Sequence, residues 1–334
     1  MKYFDLHCDT LFEMEKRGEG FFNGGALAVS FENAALFERY ARIMAIWTKS
    51  GIPDDEAFDH YKAVVSHMKN SMDDRVAQCR TYADLARAEK EKKIPYFLAV
   101  EGATLLGGDI SRLDTLNKDG VRFLTLTWKD DGCIGGSWNT EAGLSPFGYD
   151  VVARCSELKI TVDLSHASHK MMDDVFKMAE NTPLRVIATH SNCDKLCPHG
   201  RNLTDVEAKK IAALGGIVGI SFTPGHLNPS GNADISDIVA HAEHYLSLGL
   251  ENALCIGADF DGIVNLPRGV INEKNILDVD SAFEKAGIPA DIREKIFWQN
   301  AENFIKMNML GAKPPRQTVF CLNVAHTVSV QLVA

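Results

Sequence analysis

Thr161-Val162-Asp163-Leu164-Ser165-His166 and Val186-Ile187-Ala188-Thr189-His190 are two short apolar runs that each stop at a histidine. A buried strand reads as roughly four to eight apolar residues, so a hydrophilic residue at its C-terminal end stands where the chain leaves the core and can meet a ligand. Three more runs stop the same way: Phe4-Asp5-Leu6-His7, Phe97-Leu98-Ala99-Val100-Glu101 and Leu254-Cys255-Ile256-Gly257-Ala258-Asp259. Metal-binding residue types at the same end of successive strands imply one shared site.

The full set of strand candidates is 3–7, 42–47, 96–101, 122–127, 160–165, 185–190, 216–222 and 254–259. Helix-like stretches lie between them. Residues 54–70 carry Phe58, Tyr61, Val64, Val65 and Met68 at helical spacing, 79–92 end in a Lys/Glu run that reads as a solvated face, and Asp237 to Leu248 repeats the helical period. Thr204 with Glu207 has the capping-box pattern, which predicts a helix start there. Strand alternating with helix eight times predicts an α/β fold, a parallel (β/α)8 TIM barrel of the metal-dependent hydrolase type, with a doubly wound open sheet as the alternative. Polar strand ends spread along the whole chain favour the barrel over a single switch point. One domain over 1–312 is expected, with 313–334 a C-terminal tail that follows the final helix, Asp291 to Met309. The Gly-, Asp- and Ser-rich segment Lys129 to Ser145 follows the fourth strand, where a barrel carries active-site loops.

A net charge of -10 without a Lys/Arg cluster argues against nucleic-acid binding, which relies on basic surface. The longest nearly apolar stretch, Ile211 to Phe222, contains glycines and falls short of the roughly 20 residues of a membrane span. The first strand candidate begins at Tyr3, leaving no room ahead of it for a signal peptide, so cytoplasmic residence and reduced thiols for the eight cysteines are expected. Cys193, Cys197 and His199 have zinc-like spacing but lack a second pair, and a closed zinc site needs four ligands.

His7 and Asp9 are two apart at a strand end, so they project to one side while Cys8 points away, packed behind. Glu101 precedes Gly102, where the backbone can turn sharply, and its two oxygens can bridge two cations. His166 and His190 add imidazoles, which suit zinc. A lone His beside an apolar run is usually a core residue, but two in register with a His-x-Asp and a Glu form two half-sites sharing Glu101. Two zinc ions there would lower the pKa of a bridging water toward neutrality. Asp259 is the natural proton acceptor beside that water, while Asp261 lies further past the strand and is read as holding the loop.

These segments, with Gly143-Leu144-Ser145, Thr189-His190-Ser191-Asn192, Arg201-Asn202 and Gly257-Ala258-Asp259-Phe260-Asp261-Gly262, resemble the membrane (renal) dipeptidase family, the M19 peptidases of the amidohydrolase superfamily, from Asp5 to about Met309. The resemblance implies a binuclear zinc dipeptidase. It gives His7 and Asp9 to one Zn2+, His166 and His190 to the other, and Glu101 to both. Arg201 would hold the dipeptide's C-terminal carboxylate, a role a guanidinium fork suits. It also implies a homodimer, since family members are often dimers.

One position departs from the pattern. Better-studied members have a histidine after the fourth strand, thought to steady an oxyanion, and this chain has Trp128. An indole N–H donates one hydrogen bond but carries no charge. His226, after the seventh strand, is expected at the site mouth in contact with substrate, whereas His169, His241 and His244 sit at helical positions and are read as non-catalytic. Lactone, phosphoester or deaminase chemistry is the alternative reaction, and His7-Cys8-Asp9 in place of His-x-His speaks against it. Trp128 also motivates a third alternative, a metal-binding homologue with weakened catalysis.

Overall fold

The computed structural model describes residues 1–22, 27–49, 51–130 and 132–309, so the expected tail lies outside the described residues. Nine parallel strands form one sheet: β1 Lys2–Cys8, β2 Arg39–Trp47, β3 Val76–Cys79, β4 Ile94–Glu101, β5 Val121–Thr125, β6 Thr161–Asp163, β7 Val186–Ile187, β8 Val218–Ile220 and β9 Leu254–Ile256. The order β7-β6-β5-β4-β2-β1-β9-β8 contains the eight strands expected from the sequence. Their ring is completed where Ala188 donates to Ile217 and Gly219 donates to Ala188, giving the nearly closed (β/α)8 barrel. The ninth strand, β3, was not expected. It is a four-residue edge strand on β4, and its half-buried Ala77 and Gln78 give it no apolar run to recognise.

Alternate residues of the strands separate into two apolar clusters. Phe4, Leu6, Ala41, Ile43, Ala45, Phe97, Ala99, Phe123, Ile187 and Cys255 fill the barrel, and Trp298, Phe304, Ile305 and Met309 close its N-terminal end. The other set, including Met44, Ile46, Leu98, Val100, Leu124, Val162 and Val218, packs against the surrounding helices. The final helical stretch runs from Ala290 to Asn308 with a π turn at Lys295–Gln299, which carries Trp298 beneath Phe4 with ring centroids 5.7 Å apart.

Strand β1 breaks this alternation. Phe4 pairs with Ala41 and Cys8 with Met44, so four steps on β1 match three on β2. The extra residue is a bulge that reverses the inward-outward phase of everything after it. Cys8 therefore joins the outer cluster while His7 and Asp9 turn toward the barrel mouth.

Candidate active site

The expected ligands meet at the C-terminal rim. His7, Asp9, Glu101 and His190 are buried, and His166 is 9% exposed. Glu101 divides its oxygens between two groups. Oε1 lies 2.8 Å from His166 Nε2 and 3.3 Å from His190 Nε2, and Oε2 lies 3.5 Å from His7 Nε2. On the second side His7 Nε2 is 3.5 Å from Asp9 Oδ2 and 3.8 Å from Asp259 Oδ1. Glu101, His166 and His190 could surround one ion, and His7, Asp9 and Asp259 another.

Hydrogen bonding behind the rings shows that these groups fit a cation. His166 Nδ1 lies 2.9 Å from the Trp128 carbonyl, which only accepts, so Nδ1 carries the proton and Nε2 a lone pair. That lone pair faces His190 Nε2 at 3.0 Å. Burial, with Arg201 adding to it, lowers His166 to about 4, and burial with His7 holds His190 well below the usual imidazole range, so both rings are neutral. Opposite them, burial and Glu101 push Asp9 well above the usual carboxylate range. His7 Nε2 and Asp9 Oδ1 are buried without a hydrogen-bond partner. Unpartnered buried polar atoms and crowded carboxylates in a dry site are stabilised by a bound cation.

Backbone geometry aims the remaining groups. His166 and Asp259 adopt left-handed conformations, φ 68° and 63°, which for non-glycine residues is a strain found where function requires a side chain to be turned. Asp259 Oδ2 accepts from Thr223 Oγ1 at 3.2 Å. Burial, opposed by His7 and reinforced by Glu101, pushes its carboxyl up to about 6. Asp261 holds a loop, as expected: Oδ1 accepts from Ala28 N at 2.7 Å and Oδ2 from Thr10 Oγ1 at 2.7 Å.

Arg201 is 2% exposed, in the loop after β7. It donates to Ser191 Oγ and to the His190 carbonyl at 2.9 and 3.0 Å, and its Nε is unpartnered, which leaves N–H groups for an anion. His226, in the short helix Pro224–Leu227, lies with its ring 4.7 Å from that of His199; burial, with Arg201 adding to it, lowers it to about 2. The Trp128 indole packs edge-on to Trp47 at 5.0 Å, and Trp47 packs edge-on to Phe12 at 4.9 Å. These aromatics wall a cavity of about 770 Å³ that opens beside Asp9, Glu101, His166 and Asp259. The segment after Lys129 reaches the site too, with Trp138 N donating to the His166 carbonyl at 2.8 Å.

The other singled-out residues serve packing. Cys193 and Cys197 thiols donate to the His241 and Gly225 carbonyls, and His199 Nδ1 accepts from Arg201 N. His241 Nδ1 accepts from Cys193 N, and His169 and His244 pair with Glu207 and Asp205. Phe12 and Trp47 were missed as site residues, although Trp47 ends a strand candidate just as the ligands do.

A parallel eight-stranded barrel with a buried histidine and carboxylate cluster on its C-terminal rim belongs to the class of metal-dependent hydrolases. The family profile of the membrane dipeptidases, peptidase family M19, matches residues 1–308, and the chain belongs to that family. An uncharacterised protein of the pqqA 5' region of Klebsiella pneumoniae is 29% identical over 238 residues, 68% of this chain and 86% of its own. The dipeptidase AC, a metallopeptidase, shares the fold with a TM-score of 0.84 at 24% identity, covering 92% of this chain and 99% of that one. A Rhodobacter sphaeroides metallopeptidase, solved with a phosphinate mimic of the dipeptide L-Ala-D-Ala, gives the same values. Among the described residues no helix is long and apolar enough to cross a membrane.

Proposed function

We propose that this chain hydrolyses the peptide bond of dipeptides with two zinc ions, one held by His7 and Asp9, one by His166 and His190, and both by Glu101. The observation that carries this reading is the split of Glu101's two oxygens between two groups of unpaired ligand atoms, beside a buried guanidinium with free donors. When bound, such ions supply Lewis acidity toward the peptide carbonyl and make water available as a nucleophile near neutral pH.

The chain's own residues do the rest. Arg201 binds the free carboxylate of the dipeptide through its remaining N–H groups, with His226 beside it. Asp259 takes the proton from the attacking water and delivers it to the leaving amine. The aromatic side chains of Phe12, Trp47 and Trp128 flank the substrate on the cavity side. Trp128 brings no charge to the oxyanion, but its backbone carbonyl orients His166. The dipeptide mimic bound to the Rhodobacter sphaeroides relative supports the substrate class.

The test is a panel of dipeptides varied at both ends in side chain and chirality, run with metal content measured on the same sample. Turnover that disappears with a chelator and returns with Zn2+ is expected. No turnover of any dipeptide by fully metal-loaded protein would overturn the reading.

A further inference from the structure

Beneath His190 lies a buried hydrogen-bond relay that ends at its Nδ1, the ring nitrogen turned away from Glu101. Asp163, on β6, is 1% exposed and receives four hydrogen bonds. Its Oδ1 accepts from the backbone N–H groups of Ser165 and Thr189, at 3.0 and 2.9 Å. Its Oδ2 accepts from the hydroxyls of Thr125 and Thr189, at 2.7 and 2.6 Å. Asp163 could be counted with His7 and His190 around an ion, but its oxygens already face these four donors.

The Thr189 hydroxyl has one proton, and it goes to Asp163. Its oxygen lies 2.7 Å from His190 Nδ1 and can then only accept there. His190 must carry its proton on Nδ1, which leaves the Nε2 lone pair aimed at His166 Nε2 and Glu101. We propose that Asp163 and Thr189 are positioning residues that set the tautomer of His190 and so hold its Nε2 ready for the metal. The inference rests on His190 being a ligand, as proposed above. It goes further by placing control of that ligand two side chains away.

The geometry predicts an unusual result for Asp163→Asn. The amide oxygen must face the two backbone N–H groups, because neither can accept a hydrogen bond. The amide NH2 is then forced toward the two threonine hydroxyls, which become acceptors. The Thr189 proton turns to His190 Nδ1, and the ring proton moves to Nε2, where it blocks coordination. Thr189→Val removes the partner of Nδ1 without reversing it, and Thr189→Ser keeps the hydroxyl.

The tautomer is read in the full-length, metal-stripped protein by long-range 1H–15N NMR on 15N-histidine label, with His190 assigned through His190→Gln. The ring is expected as Nδ1–H in the native and Thr189→Ser proteins and as Nε2–H in Asp163→Asn. Co2+ affinity, followed by its visible spectrum against a competing chelator, should fall about 10–100-fold in Asp163→Asn and Thr189→Val and be recovered in Thr189→Ser. An Nε2–H ring in the native protein, or affinity in both defective variants within about threefold of native, would overturn the relay. If Asp163→Asn does not fold, Thr189→Val against Thr189→Ser carries the same decision. A protein that shows both the tautomer change and the affinity loss but hydrolyses no dipeptide keeps the relay and loses the proposed activity.

Discussion

Replacing Asp259 by Asn isolates proton transfer from shape. Asp259 sits at φ 63°, where Asn is well tolerated, and an amide oxygen can still accept from Thr223 Oγ1 as the carboxylate does at 3.2 Å. Gly262 leaves the room this side chain occupies, since a Cβ there would come within 2.6 Å of Asp259 Oδ1. The fold and the proposed metal ligands should therefore persist, while the group proposed to receive and return the proton is gone. Loss of general acid–base catalysis typically costs about 10²–10⁴ in rate, or about 3–5.5 kcal/mol of barrier. Asp259→Ala should lose as much activity, since it removes the same proton-transfer group. The assay is kcat/KM on the best dipeptide with zinc content and urea midpoint measured alongside. An Asn variant with full metal and kcat/KM within about tenfold of native would refute a proton-transfer role for Asp259.

Three further substitutions probe other parts of the molecule. Arg201→Lys keeps the charge but loses the fork, so KM for dipeptides should rise about 10–100-fold with a smaller change in kcat; an unchanged KM would remove Arg201 from carboxylate binding. Gly257→Ala drives a Cβ into the Thr189 carbonyl oxygen, side chain against backbone, and should cost about 3 kcal/mol or more in urea denaturation. Asp234 caps the helix Ile235–Ser247, accepting from Ser236 N at 2.8 Å, and the Ser236 hydroxyl and Arg268 lower its carboxyl to about 2. Its folded pKa lies below the unfolded value, so its stabilisation is full above pH ~4 and fades as pH falls toward ~2. Asp234→Ala should cost about 1 kcal/mol at pH 7, with the gap narrowing steadily in urea melts below pH ~4.

The eight barrel strands could be read from the chain because each buried strand is an apolar run, and the proposed ligands stood out because each ended one. His166 and His190 were legible for that reason, and so was Asp259. The bulge in β1 was not, since Phe4-Asp5-Leu6-His7 has the same composition with or without an extra residue; it appears only when Phe4 is matched to Ala41 and Cys8 to Met44. Strand β3 was hidden because an edge strand needs little apolar surface. Asp163 and Thr189 were visible only as neighbours of the proposed ligands, since a hydrogen bond from the chain just past β7 to β6 depends on register rather than on residue type. Asp5 is a parallel case: it accepts from the backbone of both His7 and Ala258 and so fixes two site segments at once.

That last contact joins residues 253 positions apart, and it governs the order in which the molecule can assemble. Strand β1 finds its neighbour β9 only after nearly the whole chain has been made, so ring closure is the most non-local step in folding. His7 and Asp9 on one side and Asp259 on the other cannot surround an ion until then. Metal on the His7 side therefore cannot template ring closure, as it templates a zinc finger; the apolar lumen must close the ring against the repulsion of Asp9, Glu101 and Asp259, and a bound cation would relieve that repulsion afterwards. Folding of the metal-free chain should thus be slow and complete, with metal slowing unfolding rather than hastening folding.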